Sequence, residues 1–464
     1  MRRRTLLIGL GQIPEGTKPA DLSVQRPMKA WPSQSASSMA GATAASIARK
    51  VSPSRRCAQS VLDSGAMTDA RLPLDGIRVL ELAQVVAGPF CGTLMAEFGA
   101  EVIKTEMPGR GDDLRRLGPS EGDCSYWFAV DNRNKKLMTL DLHAAKGQDI
   151  VRRLVAHCDV VLENFRPGVL ERWGLGWEAL HAINPRLVMA RITAFGQTGP
   201  LNQGPGYAAI ASAFGGTWYV NGHADRPPAR PTPVYPDYMT GLFTAFGVLA
   251  ALRHRDATGE GQWIDAALYE SAFRVMEYTT TLYGRQHVVR ERGELQHAGW
   301  PGGAFRTLDE KWIVFTAPAQ HLFERLCAMI GQPDLPRDPR FASATERPKH
   351  IGVIVDLMRQ WFAARPAAKA LAELTGHDIP HSPIMSMADI FADPHYRARG
   401  TIIDVPAEGM GTLPQPTVVP RLSRTPGRVT HAGARLGRHT DEILSGLLGL
   451  TDGEIATLHA EGVV

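Results

Sequence analysis

The chain has 464 residues, of which 44% are hydrophobic and 21% are charged. This length and composition predict a large globular core, most simply in two domains, and exclude a collagen-like or wholly disordered chain. The net charge of +4 comes from residues 1–66, which hold ten Lys or Arg and three acids, whereas the other 398 residues carry a net −3. The body therefore has no basic excess for nucleic acid, and no apolar run reaches the roughly 20 residues that cross a membrane.

The leading segment, residues 1–66, is rich in Ser, Ala and Arg and has no sustained periodicity. It is predicted to be a disordered N-terminal extension. Two interpretations stay open. In the first interpretation the reading frame starts at Met67. In the second, the segment is a mitochondrial transit peptide.

The five cysteines are scattered and form neither a Cys-x-x-Cys pair nor a Cys/His cluster: Cys57, Cys91, Cys124, Cys158 and Cys327. A disulfide framework and a metal site are therefore not expected. This pattern favours a reducing compartment, and we expect a cytoplasmic protein.

Alternating strand and helix signals begin the body of the chain. Four β-rich runs are predicted strands: 76–82, 101–106, 159–165 and 186–193. A helical stretch at 89–100 separates the first two strands, and one at 170–183 separates the last two. Strand, helix, strand at this spacing predicts parallel βαβ units, and hence an open, mostly parallel α/β sheet with ligands beyond the strand ends.

The second half of the body changes character. Residues 239–254 predict a long buried helix, and residues 261–268 predict a further strand. Near residue 290 the composition turns polar and rich in Gly and Pro, which indicates a domain boundary. We predict three parts of the body: the first part of a large domain at 67–289, a small domain at 290–390 and the C-terminal part of the large domain at 391–464.

Cofactor fingerprints are missing from the first strand–helix turn. The segment there reads AQVVAGP, without the Gly-x-Gly-x-x-Gly pattern of nicotinamide or flavin proteins. The Gly-rich segment AFGQTGPLNQGPGY at 194–207 lacks the Lys-Ser/Thr pair of a phosphate-binding loop. No permanently bound cofactor and no metal are therefore expected.

Several long motifs occur in order along the body: LDGIRVLELAQVVAGP at 74–89, NRNKKLMTLDL at 132–142, VVLENFRPGVLERWGLGWEAL at 160–180 and TGEGQWIDAAL at 258–268. Together they resemble the family III CoA-transferases, the CaiB/BaiF type that includes formyl-CoA transferase. The resemblance implies a large Rossmann-like domain completed by the C-terminal segment, a smaller inserted α+β domain and an interlocked homodimer. It also implies acyl-CoA and a small carboxylic acid as substrates.

The segment PVYPDYMTG at 233–241 contains the acid that this resemblance makes the nucleophile, Asp237. A carboxylate attacks a thioester usefully when it is desolvated and aimed. The resemblance implies an aspartyl mixed anhydride and then an aspartyl–CoA thioester. An Asp before an apolar helix can also be an N-cap, and both roles can coexist. A helix end would favour the ionised form by about 0.3–1 kcal/mol.

The resemblance also implies the CoA contacts: Val86, Ala87, Leu140, His143, Asn164, Phe165, Arg166, Arg172, Gly206 and Tyr207. Guanidinium groups pair strongly with phosphates, which suits Arg166 and Arg172. The loop WPGGAF at 300–305 is either a donor of backbone N–H groups to an oxyanion or a plain inter-domain turn.

An α-methylacyl-CoA racemase of the same fold is the alternative. Racemases need an acid/base pair. Tyr207 and Ala208 stand where that branch has a histidine and an acid, which favours the transferase. Succinyl-CoA is the donor that the family resemblance favours.

Overall fold

A six-stranded parallel sheet is the main element of the computed structural model, which describes residues 71–122, 124–293 and 300–464. Its strands, in chain order, are β1 (Arg78–Glu81), β2 (Glu101–Glu106), β3 (Lys136–Thr139), β4 (Val160–Glu163), β5 (Val188–Thr193) and β6 (Trp263–Ala267). The order across the sheet is β3-β2-β1-β4-β5-β6. The chain runs outward from β1 to β3 and then returns, so that β4 lies beside β1 on the other side. The strand order therefore reverses between β1 and β4, and the carboxyl ends of these two strands form the switch point at which open α/β sheets bind ligands.

Helices cover both faces of this sheet. The helices along this part of the chain are α1 (Ala87–Glu97), α2 (Tyr126–Asp131), α3 (Ala145–Val155), α4 (Val169–Arg172), α5 (Trp177–Ile183), α6 (Ala208–Phe214), α7 (Tyr235–Thr258), α8 (Leu268–Arg274) and α9 (Thr279–Gln286). Helices α1 and α7 pack on one face, where Cys91 and Met95 meet Val248 and Leu252. A sheet covered on both faces explains why its central strands are continuous buried runs, such as Val-Val-Leu-Glu in β4.

The other face carries α3, α5 and the two last helices, α15 (Thr440–Leu448) and α16 (Asp452–Ala460). Ile443 and Leu458 of these last helices lie in the same core as Leu80 of β1. Residues more than 350 positions apart in sequence, counted from Leu80 to Ile443, therefore share one core.

A three-stranded antiparallel sheet has a core of its own. Its strands are β7 (Gly302–Arg306), β8 (Trp312–Thr316) and β9 (His381–Pro383), in the order β9-β8-β7. Helices α10 (Gln320–Met329), α11 (Ile351–Ala363) and α12 (Ala367–Gly376) pack on it, and the rings of Phe305, Phe315 and Phe362 stack at its centre. This separate core resembles the predicted small domain, whose boundaries stay a prediction.

The chain then passes through α13 (Met387–Ala392) and α14 (Pro394–Ala398) to an antiparallel hairpin, β10 (Ile402–Ala407) and β11 (Gly411–Pro416). A minimal ladder joins Ser120–Glu121 to Cys124–Ser125, and short 3₁₀ turns lie at Asp113–Arg116, Leu335–Arg337 and Arg347–His350. No helix among the described residues is long and apolar enough to span a bilayer.

The predicted α/β class with a mostly parallel sheet is confirmed. The prediction of one helical stretch at 170–183 is wrong in detail, because Gly174 adopts a left-handed φ of 66° and divides it into α4 and α5. Helix α7 begins at Tyr235, four residues before the predicted start. The predicted disorder of residues 1–66 lies outside the described residues, as do residues 294–299 of the domain entry predicted around 290–305.

Candidate active site

Two loops meet at the switch point, one after β1 and one after β4. The side chain of Asn164 accepts a hydrogen bond from the Gln84 N–H (2.9 Å) and donates one to the Gln84 carbonyl (2.7 Å). Val85 has a left-handed φ of 68°, and its N–H donates to the buried carboxylate of Asp112. A β-branched residue at positive φ is strained, so these contacts hold a loop that would otherwise relax.

Two clefts open beside these loops. The first, of about 240 Å³, includes the predicted residues Leu140, His143 and Phe165 in its lining. The second, of about 180 Å³, is also lined by Phe165. Four further predicted residues line it: Asn164, Arg166, Gly206 and Tyr207. Six predicted positions around Phe165 are thus brought together, although His143 and Tyr207 are separated by more than 60 residues.

The other predicted contacts lie differently. Arg172 ends α4 with an exposed side chain and lines neither of these two clefts. Val86 and Ala87 are buried in the core at the start of α1. Any contact that these two residues make with a ligand must therefore come from their backbone atoms.

Asp237 occupies the third position of α7. Val234 is the N-cap and supplies no side-chain cap, so the N-cap interpretation of Asp237 is wrong. One turn later, the Cα of Gly241 packs against the Ala87 carbonyl, since an added Cβ would lie 2.8 Å from that oxygen. This close crossing brings the first turns of α7 against the start of α1, next to the loop that follows β1.

The carboxylate of Asp237 is half-buried, and within the described parts of the chain it accepts no hydrogen bond and forms no ion pair. Burial, reinforced by the negative charge of Asp131, raises the pKa of Asp237 to about 7. The predicted preference of the helix end for the ionised form is therefore outweighed, because that end contributes only about 0.3–1 kcal/mol.

Asp131, the last residue of α2, is a second buried acid at the site that sequence reasoning missed. It accepts hydrogen bonds from Trp127 Nε1 (2.9 Å) and from the hydroxyl of Tyr238 (3.1 Å). Burial raises the pKa of Asp131 to about 6 against the effect of these bonds. Asp131 stands just before the NRNKK motif, but that position gives no sign of the contact with Tyr238, which directly follows Asp237.

A cluster of buried charged side chains lies at the end of β1, next to the loops of the site. Glu81 at the end of β1 pairs with Lys104 (3.1 Å) and Lys135 (2.9 Å), and all three side chains are fully buried. Lys135 also donates to the carbonyls of Pro89 (2.7 Å) and Asp131 (3.2 Å). One ammonium group thus joins the sheet, the start of α1 and the end of α2.

The segment at 300–305 is not the loop that the sequence predicts. Gly302 and Gly303 begin strand β7, where they pair with Thr316 and Phe315 of β8. The segment is thus mainly an edge strand, because the small antiparallel sheet continues through Gly302. Its role as an oxyanion donor stays a prediction. Among the described residues, no group of three or more His, Cys, Asp or Glu side chains could hold a metal ion.

The chain belongs to CoA-transferase family III, whose sequence model matches residues 74–440. It is an enzyme that transfers CoA from an acyl-CoA to a carboxylic acid.

Individual relatives extend this likeness over the whole body of the chain. The beta subunit of succinyl-CoA–L-malate CoA-transferase from Chloroflexus aurantiacus is 43% identical over 403 residues, which cover 86% of this chain and 99% of the relative. Succinyl-CoA–D-citramalate CoA-transferase from the same organism is 43% identical over 394 residues, covering 84% and 98%.

A solved structure shares the fold. The crystal structure of a CAIB/BAIF family protein from Brucella suis superposes with a TM-score of 0.73 at 33% identity, covering 82% of this chain and all of that one. The racemase alternative gains no support from these relatives.

Proposed function

We propose that this enzyme moves CoA from succinyl-CoA to a small dicarboxylic acid, with Asp237 as the covalent carrier. The observation that carries the proposal is the carboxylate of Asp237, which is half-buried in the first turn of α7, next to the switch-point loop, and has no partner among the described residues. The donor follows from the names of the two Chloroflexus relatives, both of which use succinyl-CoA. The acceptor class follows from malate and citramalate in the same names.

The reaction begins when a carboxylate oxygen of Asp237 attacks the thioester carbonyl. The C–S bond breaks, CoA leaves as a thiolate, and a mixed anhydride of Asp237 and the acyl group remains. The thiolate then attacks the aspartyl carbonyl, the anhydride C–O bond breaks, and the donor acid leaves as a carboxylate. The enzyme now holds CoA as an aspartyl thioester, and an acceptor carboxylate reverses these steps. The thioester bond energy is conserved throughout.

The surroundings of Asp237 suit this role. Ionised Asp237 has no cation or donor to release before it attacks, since its carboxylate is unpaired within the described residues. A carboxylate whose pKa is near 7 is also more basic, and therefore more nucleophilic, than an ordinary aspartate. Exposed Arg166 in the second cleft supplies a cation for the phosphates of CoA.

The function is tested with purified enzyme, succinyl-CoA and a panel of four- to six-carbon dicarboxylic acids. We expect a new acyl-CoA together with free succinate, and hydroxylamine trapping should modify the peptide that contains Asp237. Exchange of the α-hydrogen of an acyl-CoA with D₂O, without CoA transfer, would instead establish the racemase.

We also propose that two copies assemble as a homodimer through an exposed apolar surface. Helix α7 is apolar on most sides, and its outer face is exposed at Leu242, Phe243, Phe246 and Leu249, with Phe246 72% exposed. Phe214 of α6 and Phe273 of α8 extend this surface. A helix that is apolar all round is normally covered, and a second copy is the partner that the family resemblance favours. The interlocked arrangement rests on that resemblance alone.

The dimer is tested by light scattering after size-exclusion chromatography. Wild type should have twice the chain mass, and Phe246→Asp should shift the protein towards a monomer or an unfolded form. Leu308→Asp is the matched control, because Leu308 is 62% exposed in the turn after β7. A monomeric wild-type protein would contradict the proposal.

A further inference from the structure

The surroundings of Asp131 are unusual for a buried charge. Its side chain is 3% exposed and accepts hydrogen bonds only from the neutral groups of Trp127 and Tyr238 among the described residues. Buried carboxylates are normally paired with a cation, because burial of an isolated charge is costly. Stability alone therefore does not explain why the Asp131 carboxylate is buried without a cation bonded to it.

The cations near Asp131 are paired with other acids. Lys135 pairs with Glu81 at 2.9 Å, and it reaches Asp131 at the backbone carbonyl rather than at the carboxylate. Arg133 donates to Glu97 at 2.8 Å. From α7, the hydroxyl of Tyr238 donates to Asp131, and the negative charge of Asp131 raises the pKa of Asp237. Lys135 and Arg133 act on Asp131 through their charge, without a hydrogen bond to its carboxylate.

The backbone and side chain of Asp131 are both held in place. Its carbonyl accepts from Lys135 and from the hydroxyl of Thr93 on α1. Its carboxylate holds the hydroxyl of Tyr238, the residue that follows Asp237 in the first turns of α7. The ring of Tyr238 also packs edge-on against Phe90 of α1, with 4.8 Å between the ring centres. These contacts hold Asp131 against α1 and against the first turns of α7, which carry Asp237.

We propose that Asp131 is a positioning residue that favours the covalent enzyme–CoA state by repelling the ionised carboxylate of Asp237. This inference rests on the proposed function of Asp237 as the carrier. When ionised Asp237 becomes a thioester, its negative charge leaves the site with the donor acid, and the repulsion from Asp131 ends. The free enzyme is destabilised relative to the neutral thioester, so the equilibrium between them shifts towards covalent CoA.

The test measures the ratio of covalent enzyme–CoA to free enzyme. Wild type and Asp131→Asn are equilibrated at pH 8 with a fixed ratio of succinyl-CoA to succinate, quenched in acid and weighed by intact-protein mass spectrometry. We expect the ratio to fall about tenfold in Asp131→Asn, which corresponds to a pKa change of about one unit at Asp237. The acid limb of kcat/KM should move to lower pH by about one unit, because less repulsion lets Asp237 ionise more easily.

Control variants separate this charge effect from a structural one. Tyr238→Phe removes one hydrogen bond to Asp131 but keeps both charges, so its covalent ratio should lie closer to wild type than to Asp131→Asn. Asp149→Asn removes a carboxylate that is 63% exposed on α3 and should change neither readout. Asp131→Ser is a second neutral variant if the amide fails to fold. An unchanged ratio and an unchanged acid limb in the neutral variants would overturn the proposal, whereas a wild-type enzyme without any CoA adduct would overturn the proposed function.

Discussion

Asp237→Asn is expected to lower kcat by on the order of 10⁴-fold or more, the scale seen when a nucleophile is removed. The neutral amide cannot attack the thioester, and it can form neither the anhydride nor the aspartyl–CoA thioester. Initial rates of succinyl-CoA consumption, with intact mass spectrometry of the same samples, measure the effect. The covalent CoA adduct should disappear together with the activity.

Asp256→Asn is the matched control for this variant, because it lies on the same helix with its side chain 56% exposed. It should retain wild-type activity. Slow deamidation of the introduced amide would restore an aspartate at the carrier position, so the peptide mass is checked after each assay. Wild-type turnover in a variant that is still fully amidated would exclude Asp237 as the carrier.

Lys135→Met is expected to destabilise the fold by about 3–5 kcal/mol, the typical cost of breaking a buried ion pair. The substitution removes the ammonium that pairs with Glu81 and that binds the carbonyls of Pro89 and Asp131. Lys104 remains beside Glu81, but it also pairs with Asp112 at 2.8 Å. Two buried carboxylates would then share one ammonium group. Chemical unfolding followed by circular dichroism gives the change in the free energy of unfolding.

Lys146→Met serves as the control for Lys135→Met. Lys146 pairs with Glu461 at the surface, with 57% of its side chain exposed. Exposed ion pairs contribute about 0–1 kcal/mol, so this variant should remain close to wild type. Equal destabilisation by the two substitutions would contradict a special role for the buried cluster.

The regular parts of the sheet could be predicted from sequence because their strands are long apolar runs at βαβ spacing. Strand β3 was missed, since Lys136–Thr139 is short and begins at the end of a basic motif. The resemblance implied a smaller α+β domain, but the strands of its sheet were not located from sequence. Strand β8 alternates between exposed and buried positions over only five residues, and β7 does not alternate regularly, so neither strand can be identified without its pairing partner.

The site was predictable only as far as the family resemblance reached. Asp237 and the residues of the two clefts came from motifs. The cleft residues lie beside the switch point that the strand order creates, whereas Asp237 lines neither cleft. Asp131 could not be predicted, because its contact with Tyr238 joins residues that are 107 positions apart. Local sequence contains no sign of such a contact. The N-cap interpretation failed because helix α7 starts two residues before Asp237, at Tyr235.

The paired hydrogen bonds between Asn164 and Gln84 have a consequence for regulation by acidity. Amide groups neither gain nor lose a proton across the range in which Asp131 and Asp237 titrate. The contact between these two loops is therefore independent of pH, whereas the carboxylate of Asp237, the proposed carrier, is not. Acidification is expected to protonate Asp237 and to slow the proposed reaction while this contact stays in place.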